Sequence, residues 1–141
     1  LEGGADADTF VYAAGDSDFA NGIDAITDLV LNDAAADLIQ FDLIGTINQI
    51  TSQTFGDLDS AFDLTAVNAL INSTDGTGTR LSGDDTNSEF TVLTTTDAVP
   101  SKYLVIDTDG NGVIENGTDF VVDVTGVTET SVTAANFIDV A

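Results

Sequence analysis

The chain contains no cysteine and no histidine, a single proline (Pro100) and only two basic residues, Arg80 and Lys102. Without cysteine no disulfide can staple the fold, and the redox compartment is left open. Without His, Cys or a G-x-S-x-G turn, nucleophilic catalysis has little to work with. The same two absences remove the imidazole and thiolate ligands that favour zinc or copper. No apolar run approaches the length of a membrane span, and no basic-then-apolar start marks a signal peptide. With 25 acidic residues against two basic ones, the net charge is −23. Such a surface repels nucleic acid and anionic lipid, so neither is expected as a partner.

The length of 141 residues suits one domain. At 43% hydrophobic, with eight phenylalanines, the chain can bury a real core and is not an acidic disordered tail. Its charge also repels itself and opposes compaction unless cations neutralise it. An oxygen-only ligand set points to a hard cation, calcium before zinc or copper. Adaptation to high salt and simple solubility also explain acidity, but both scatter acid over the surface. Here much of it clusters in Gly/Asn-containing turns at 6–8, 16–24 and 107–119, which favours calcium. The chain starts without Met and in mid-repeat, so a longer parent protein is expected.

Strands are predicted at 9–13, 23–30, 37–44, 88–94, 102–106 and 120–124, from β-branched content and partial alternation. The last three are expected to pair antiparallel. Residues 60–71 are the best helix candidate. Ser60-Ala61-Phe62-Asp63 offers a start resembling a capping box, and Leu64, Val67 and Ile71 share a face with Ala66 and Leu70 beside it. An amphipathic membrane or partner helix is the alternative, but the absence of basic residues favours a core-facing one. Residues 72–87 read as a surface loop and 133–137 as a helical turn. Overall the chain reads as mainly β, with parallel strands early, antiparallel strands later and one short helix.

Gly3-Gly4-Ala5-Asp6-Ala7-Asp8-Thr9-Phe10-Val11 is one turn of the calcium-binding nonapeptide G-G-x-G-x-D-x-U-x, with Asp6 in place of the third glycine. An acidic loop follows, then Asp24-Ala25-Ile26-Thr27-Asp28-Leu29 and Asp37-Leu38-Ile39-Gln40-Phe41. Near the end come Tyr103-Leu104-Val105-Ile106-Asp107 and Asp119-Phe120-Val121-Val122-Asp123-Val124-Thr125-Gly126-Val127. This order of features resembles the carboxy-terminal domain of RTX (repeats-in-toxin) proteins exported by bacterial type I secretion. It is similar also to the ends of S-layer proteins and large RTX adhesins, with 45–95 the least similar part. The resemblance implies the end of a calcium-binding parallel β-roll over 1–44, running into a helix and an antiparallel sheet or sandwich over 45–141. It implies a non-catalytic module that folds on extracellular calcium outside a Gram-negative-type bacterium. The secretion signal would lie at the extreme carboxy terminus and engage a type I exporter. A second function is anchoring or assembly of an S-layer or adhesin, through self-association or a cell-surface polysaccharide.

Two places are candidates for the ion. Asp107-Thr108-Asp109-Gly110-Asn111-Gly112-Val113-Ile114 matches the first eight places of an EF-hand loop. Thr118 stands where a bidentate Glu is required, and the flanks read as strands rather than helices, so this is not an EF-hand. It is instead a candidate calcium-holding hairpin loop, with Asp107, Asp109, Asn111 and Asp119 as oxygen donors. An empty acidic turn is the alternative. The second candidate joins Asp6 and Asp8 of the nonapeptide to Asp24 and Asp28. There the alternative is edge-strand acid that blocks end-to-end stacking. Asp33, Asp37 and Asp42 are expected to be solvated. A glycosidase-type carboxylate pair is a distant third reading, since paired acids occur everywhere in this chain.

Overall fold

A period-two pattern of apolar residues through 88–124 decides the architecture. The computed structural model describes residues 1–31, 36–50, 53–54, 62–71, 81, 86–127 and 132–140. Their elements are β1 (Thr9–Val11), β2 (Asp24–Ala25), β3 (Leu38–Phe41), β4 (Ile47–Gln49), β5 (Gln53–Thr54), α1 (Leu64–Ile71), β6 (Ser88–Thr94), β7 (Lys102–Asp107), β8 (Phe120–Asp123), a 3-10 turn (Ala134–Asn136) and β9 (Phe137–Asp139). β6, β7 and β8 pair antiparallel as expected. Their register aligns Phe90 with Ile106 and Ile106 with Phe120, and Val92 with Leu104 and Leu104 with Val122. These two rows face one core. Alternate residues Leu93, Val105 and Val121 face another, because successive side chains of a strand point to opposite sides. Both faces of the sheet are therefore covered.

The first face packs on a three-stranded sheet, ordered β1-β3-β9 and wholly parallel. Its inner row is Phe10, Ile39 and Phe137. Aromatic contacts join the sheets: Phe41 lies 5.5 Å from Phe120, Tyr12 5.7 Å from Phe120, and Phe90 4.6 Å from Phe137, centroid to centroid. The second face packs on α1, which buries Val67 and Ile71 with Leu64, Ala66 and Leu70 beside them. Phe62 stacks on Tyr103 at 4.1 Å. The layers run three-stranded sheet, six-stranded sheet, helix. Among the described residues no helix is long and apolar enough to cross a membrane.

Several expectations change. The six-stranded sheet is mixed, not antiparallel throughout: β2 joins β8, and β4 and β5 join β6, all in parallel. β2 thus belongs with the later strands and β9 with the earlier ones, so each sheet draws on both halves of the chain. The strand expected at 23–30 shrinks to Asp24–Ala25, and Asp28 beyond it accepts the Gly3 and Gly4 amides instead of continuing the ladder. The helix starts later than 60. Asp63 Oδ1 accepts the Ala66 N–H at 2.8 Å and its carbonyl accepts the Val67 N–H, which makes Asp63 the N-cap. The expected start at Ser60-Ala61 and most of the 72–87 loop lie outside the described residues. The turn expected at 133–137 is the 3-10 turn, and its chain runs straight on into β9.

Candidate metal centre

β7 ends at Asp107 and β8 begins after Asp119, so antiparallel pairing brings the two ends of the intervening loop to one edge of the sheet. Asp107 is fully buried and Asp119 nearly so. The loop wraps its own backbone around them. Asp107 accepts the Gly110 N–H on Oδ1 and the Gly112 N–H on Oδ2, both at 2.8 Å. Gly110 has φ +69°, and a Cβ there would lie 2.3 Å from the Asn87 carbonyl oxygen, so only glycine fits. Asp119 Oδ1 accepts the Thr108 N–H at 2.8 Å and its hydroxyl at 3.0 Å, while Oδ2 accepts the Glu115 N–H at 2.8 Å. Asp109 accepts the Asn111 N–H and side-chain amide, both at 3.1 Å. Asn68 of α1 docks the loop on the helix: it accepts the Ile114 N–H and donates to the Ile114 carbonyl, each at 2.8 Å.

Asp107, Asp109 and Asp119 offer carboxylate oxygens that all lie within 4.8 Å of one another. Burial pushes Asp107 up to about 7, with Asp119 adding to the rise and the Gly112 and Gly110 amides opposing it. Burial likewise pushes Asp119 up to about 6, with Asp109 adding and the Thr108 and Glu115 donors opposing. Desolvation and like charge thus penalise the ionised forms at neutral pH. A bound metal ion would remove that penalty, and these three carboxylates could hold one. Both Asp107 oxygens and Asp119 Oδ2 accept one N–H each and keep a second lone pair for an ion, whereas Asp119 Oδ1 already meets the N–H and the hydroxyl of Thr108.

Comparisons with protein-family models, with curated proteins and with solved structures find no match to this chain.

The eight sequence candidates fare differently. Asp107, Asp109 and Asp119 come together, with Asn111 beside Asp109 in the same loop. The Asn111 side-chain oxygen Oδ1 accepts the Val113 N–H at 2.8 Å. Asp6, Asp8, Asp24 and Asp28 form no comparable triple among the described residues. Asp6 is exposed. The Asp8 N–H donates to Asp37. The Asp24 N–H donates to the Ser17 hydroxyl at 2.9 Å. Asp28 accepts the Gly3 and Gly4 amides at 3.0 and 2.9 Å, in that order the main causes of its lowered pKa. The glycine pair of the nonapeptide is thus held by a carboxylate from the following segment.

Asp37 corrects an expectation. It is 2% exposed rather than solvated. Its two oxygens accept the Asp8 N–H at 2.9 Å and the Val30 N–H at 2.8 Å, so it ties two chain segments together as β3 begins. Asp42 is exposed, as expected, and Asp33 lies outside the described residues.

Sequence reasoning passed over Asp18, Asn68, Thr108 and Glu115. Asp18 is 2% exposed. Burial would raise its pKa, but donors from the Asn21, Gly117 and Ala20 amides and from the Asn21 side chain outweigh that and lower it. Its signal was the Asp18-Phe19-Ala20-Asn21-Gly22 turn pattern. Asn68 was visible as a lone amide between apolar helix residues.

Proposed function

We propose that the chain is a non-catalytic calcium-binding module, with the ion held by Asp107, Asp109 and Asp119 and with Asn111 at the rim. The observation that carries the reading is the convergence of three carboxylates, two of them buried, in a chain of net charge −23 that lacks His and Cys. Extracellular calcium modules bind with a dissociation constant on the order of 10⁻⁴–10⁻³ M. A few millimolar calcium then stabilises the folded state by roughly 1–2 kcal/mol per site. The test is thermal unfolding in calcium, in magnesium and in NaCl of equal ionic strength. Stabilisation by calcium well beyond both controls is expected. Equal stabilisation by all three reduces the effect to charge screening and removes the calcium reading.

Within the RTX resemblance the module folds outside the cell and presents a type I secretion signal at its end. One feature of the fold lends support to a terminal β-roll turn. The chain passes from β1 in one sheet to β2 in the other and back to β3 beside β1, in parallel. The coil is long, 29 residues as between Asp8 and Asp37, which is not a whole number of nonapeptides. The export reading is tested by fusing the chain to a passenger that has no signal, in a host with a type I exporter. Retention of the passenger inside the cell sinks it. The alternative, assembly at a cell surface, is favoured by the outer edge of β1, where Val11 is 62% exposed. Calcium-driven growth of particle size would support assembly over a folding module.

A further inference from the structure

We propose that Asn116–Gly117 is a site of spontaneous covalent modification, at which the fold activates the asparagine for closure to a succinimide and conversion to aspartate and isoaspartate. The chain has three Asn–Gly pairs, at 21–22, 111–112 and 116–117. In each the following residue lacks a side chain, so its nitrogen can approach the asparagine Cγ. The surroundings separate them.

Two of the pairs are restrained at the amide that must leave. Asn21 Nδ2 donates to the Gly15 carbonyl at 3.0 Å and to Asp18 Oδ2 at 3.2 Å. The Gly22 N–H is held by the Asp18 carbonyl. Asn111 Nδ2 donates to Asp109 at 3.1 Å and to Glu115 at 3.0 Å. The Gly112 N–H meets a carboxylate, that of Asp107, just as the Gly117 N–H meets Asp18, so the restrained Nδ2 is what sets the 111–112 pair apart.

Asn116 is arranged for reaction. Its Oδ1 accepts the Phe19 N–H at 3.1 Å. That donor fixes which side-chain atom is oxygen and polarises the carbon to be attacked, as an oxyanion-hole donor does. Asn116 is exposed, and among the described residues its Nδ2 has no hydrogen-bond partner, so ammonia can leave into water. The Gly117 N–H points at Asp18 Oδ2, 2.8 Å away. That carboxylate stays ionised, so it orients the Gly117 N–H and stabilises the positive charge that develops on the nitrogen as it bonds to Cγ. Gly117 is exposed at φ +83° and has open space where a Cβ would stand, so nothing crowds the ring that forms there.

The steps balance without an outside reagent except water. The Gly117 nitrogen bonds to Asn116 Cγ and gives its proton to water, Nδ2 takes up one proton from water, and the Cγ–Nδ2 bond breaks with release of ammonia. Water then opens the ring at either carbonyl. The isoaspartate product adds one carbon to the main chain, which shifts Gly117 off Asp18 and loosens residues 15–22 from the candidate metal loop.

The test follows deamidation at all three pairs by peptide mapping, in the folded protein and in urea at the same mildly alkaline pH. In urea the three convert at similar rates. In the folded protein Asn116 is expected to outpace Asn21 and Asn111 by about tenfold, well under the full effect of one positioned oxyanion donor. Asp18→Asn is expected to slow Asn116 relative to Asn111 in the same molecule. If Asn116 converts no faster than the other two in the folded protein, or speeds up in Asp18→Asn, the assignment is overturned. Should Asp18→Asn fail to fold, the wild-type comparison of folded and urea-treated protein decides alone.

Discussion

The Asp18 carboxylate accepts the Gly117 N–H at 2.8 Å across 99 residues of sequence, and so joins the acidic loop at 15–22 to the far end of the candidate metal loop. The same carboxylate accepts the Ala20 and Asn21 amides. One side chain therefore closes its own turn and fastens it to the 107–119 loop.

Asp18→Ala leaves three backbone donors without this acceptor. Water reaches part of the site, so a loss of about 1–3 kcal/mol is expected, the usual cost of stranding buried polar groups. Urea denaturation reads it directly. A midpoint unchanged from wild type would mean that solvent replaces the carboxylate in full.

The calcium-free protein should lose stability as pH rises. Asp107 and Asp119 have ordinary values of 3.8 and are raised to about 7 and about 6 in the folded state. Between those limits the folded state binds more protons than the unfolded one, so their stabilisation is complete below about pH 4 and is lost as pH climbs through about 6 and 7. Asp18 and Asp28, both lowered, act in the opposite sense and only below 3.8. Melting temperatures in chelator should therefore fall from about pH 4.5 to about pH 8, and less steeply in Asp107→Asn. A flat profile in the wild type contradicts the burial penalty. Calcium affinity should run the other way and weaken as pH drops below about 7, because the ion needs the ionised carboxylates.

Asp107→Ala combined with Asp109→Ala removes two of the three converging carboxylates but none of the Phe90, Ile106 and Phe120 row. Calorimetry should count one calcium fewer while far-ultraviolet dichroism keeps its strand signal. An unchanged ion count would return the loop to an empty acidic turn.

Asn68→Ala strands both the N–H and the carbonyl of Ile114. Ile114 itself is buried beside α1 and the sheet. The variant should unfold about 1–3 kcal/mol more easily, and its calcium affinity should fall because the loop no longer rests on the helix. Titration calorimetry with an unaltered affinity would show that the loop holds its shape without the helix.

Much of the β framework was legible because its signal is local. β6 appears where alternation and β-branched content put it, and β7 and β8 nearly so. The helix face of Leu64, Val67 and Ile71 follows from spacing alone. So does the hairpin character of the 107–119 loop, since Tyr103–Ile106 and Phe120–Val124 are short, β-branched and bounded by turn residues, and read as strands. β4 and β5 escaped notice because Ile47-Asn48-Gln49 and Gln53-Thr54 carry too few apolar residues to show a period.

Composition and order alone determined that the protein is acidic, mainly β and rich in oxygen ligands, because charge, alternation and turn residues are properties of neighbours in sequence. Only the tertiary structure decided which acids matter. Asp18, Asp37, Asp107 and Asp119 are buried while Asp6 and Asp42 face solvent, although all are aspartates in or beside turns. It also decided that Phe10, Ile39 and Phe137 form one row of a parallel sheet. The physical reason is shared: burial and parallel pairing depend on segments far apart in the chain, and no local pattern records which distant amide or aromatic ring will arrive.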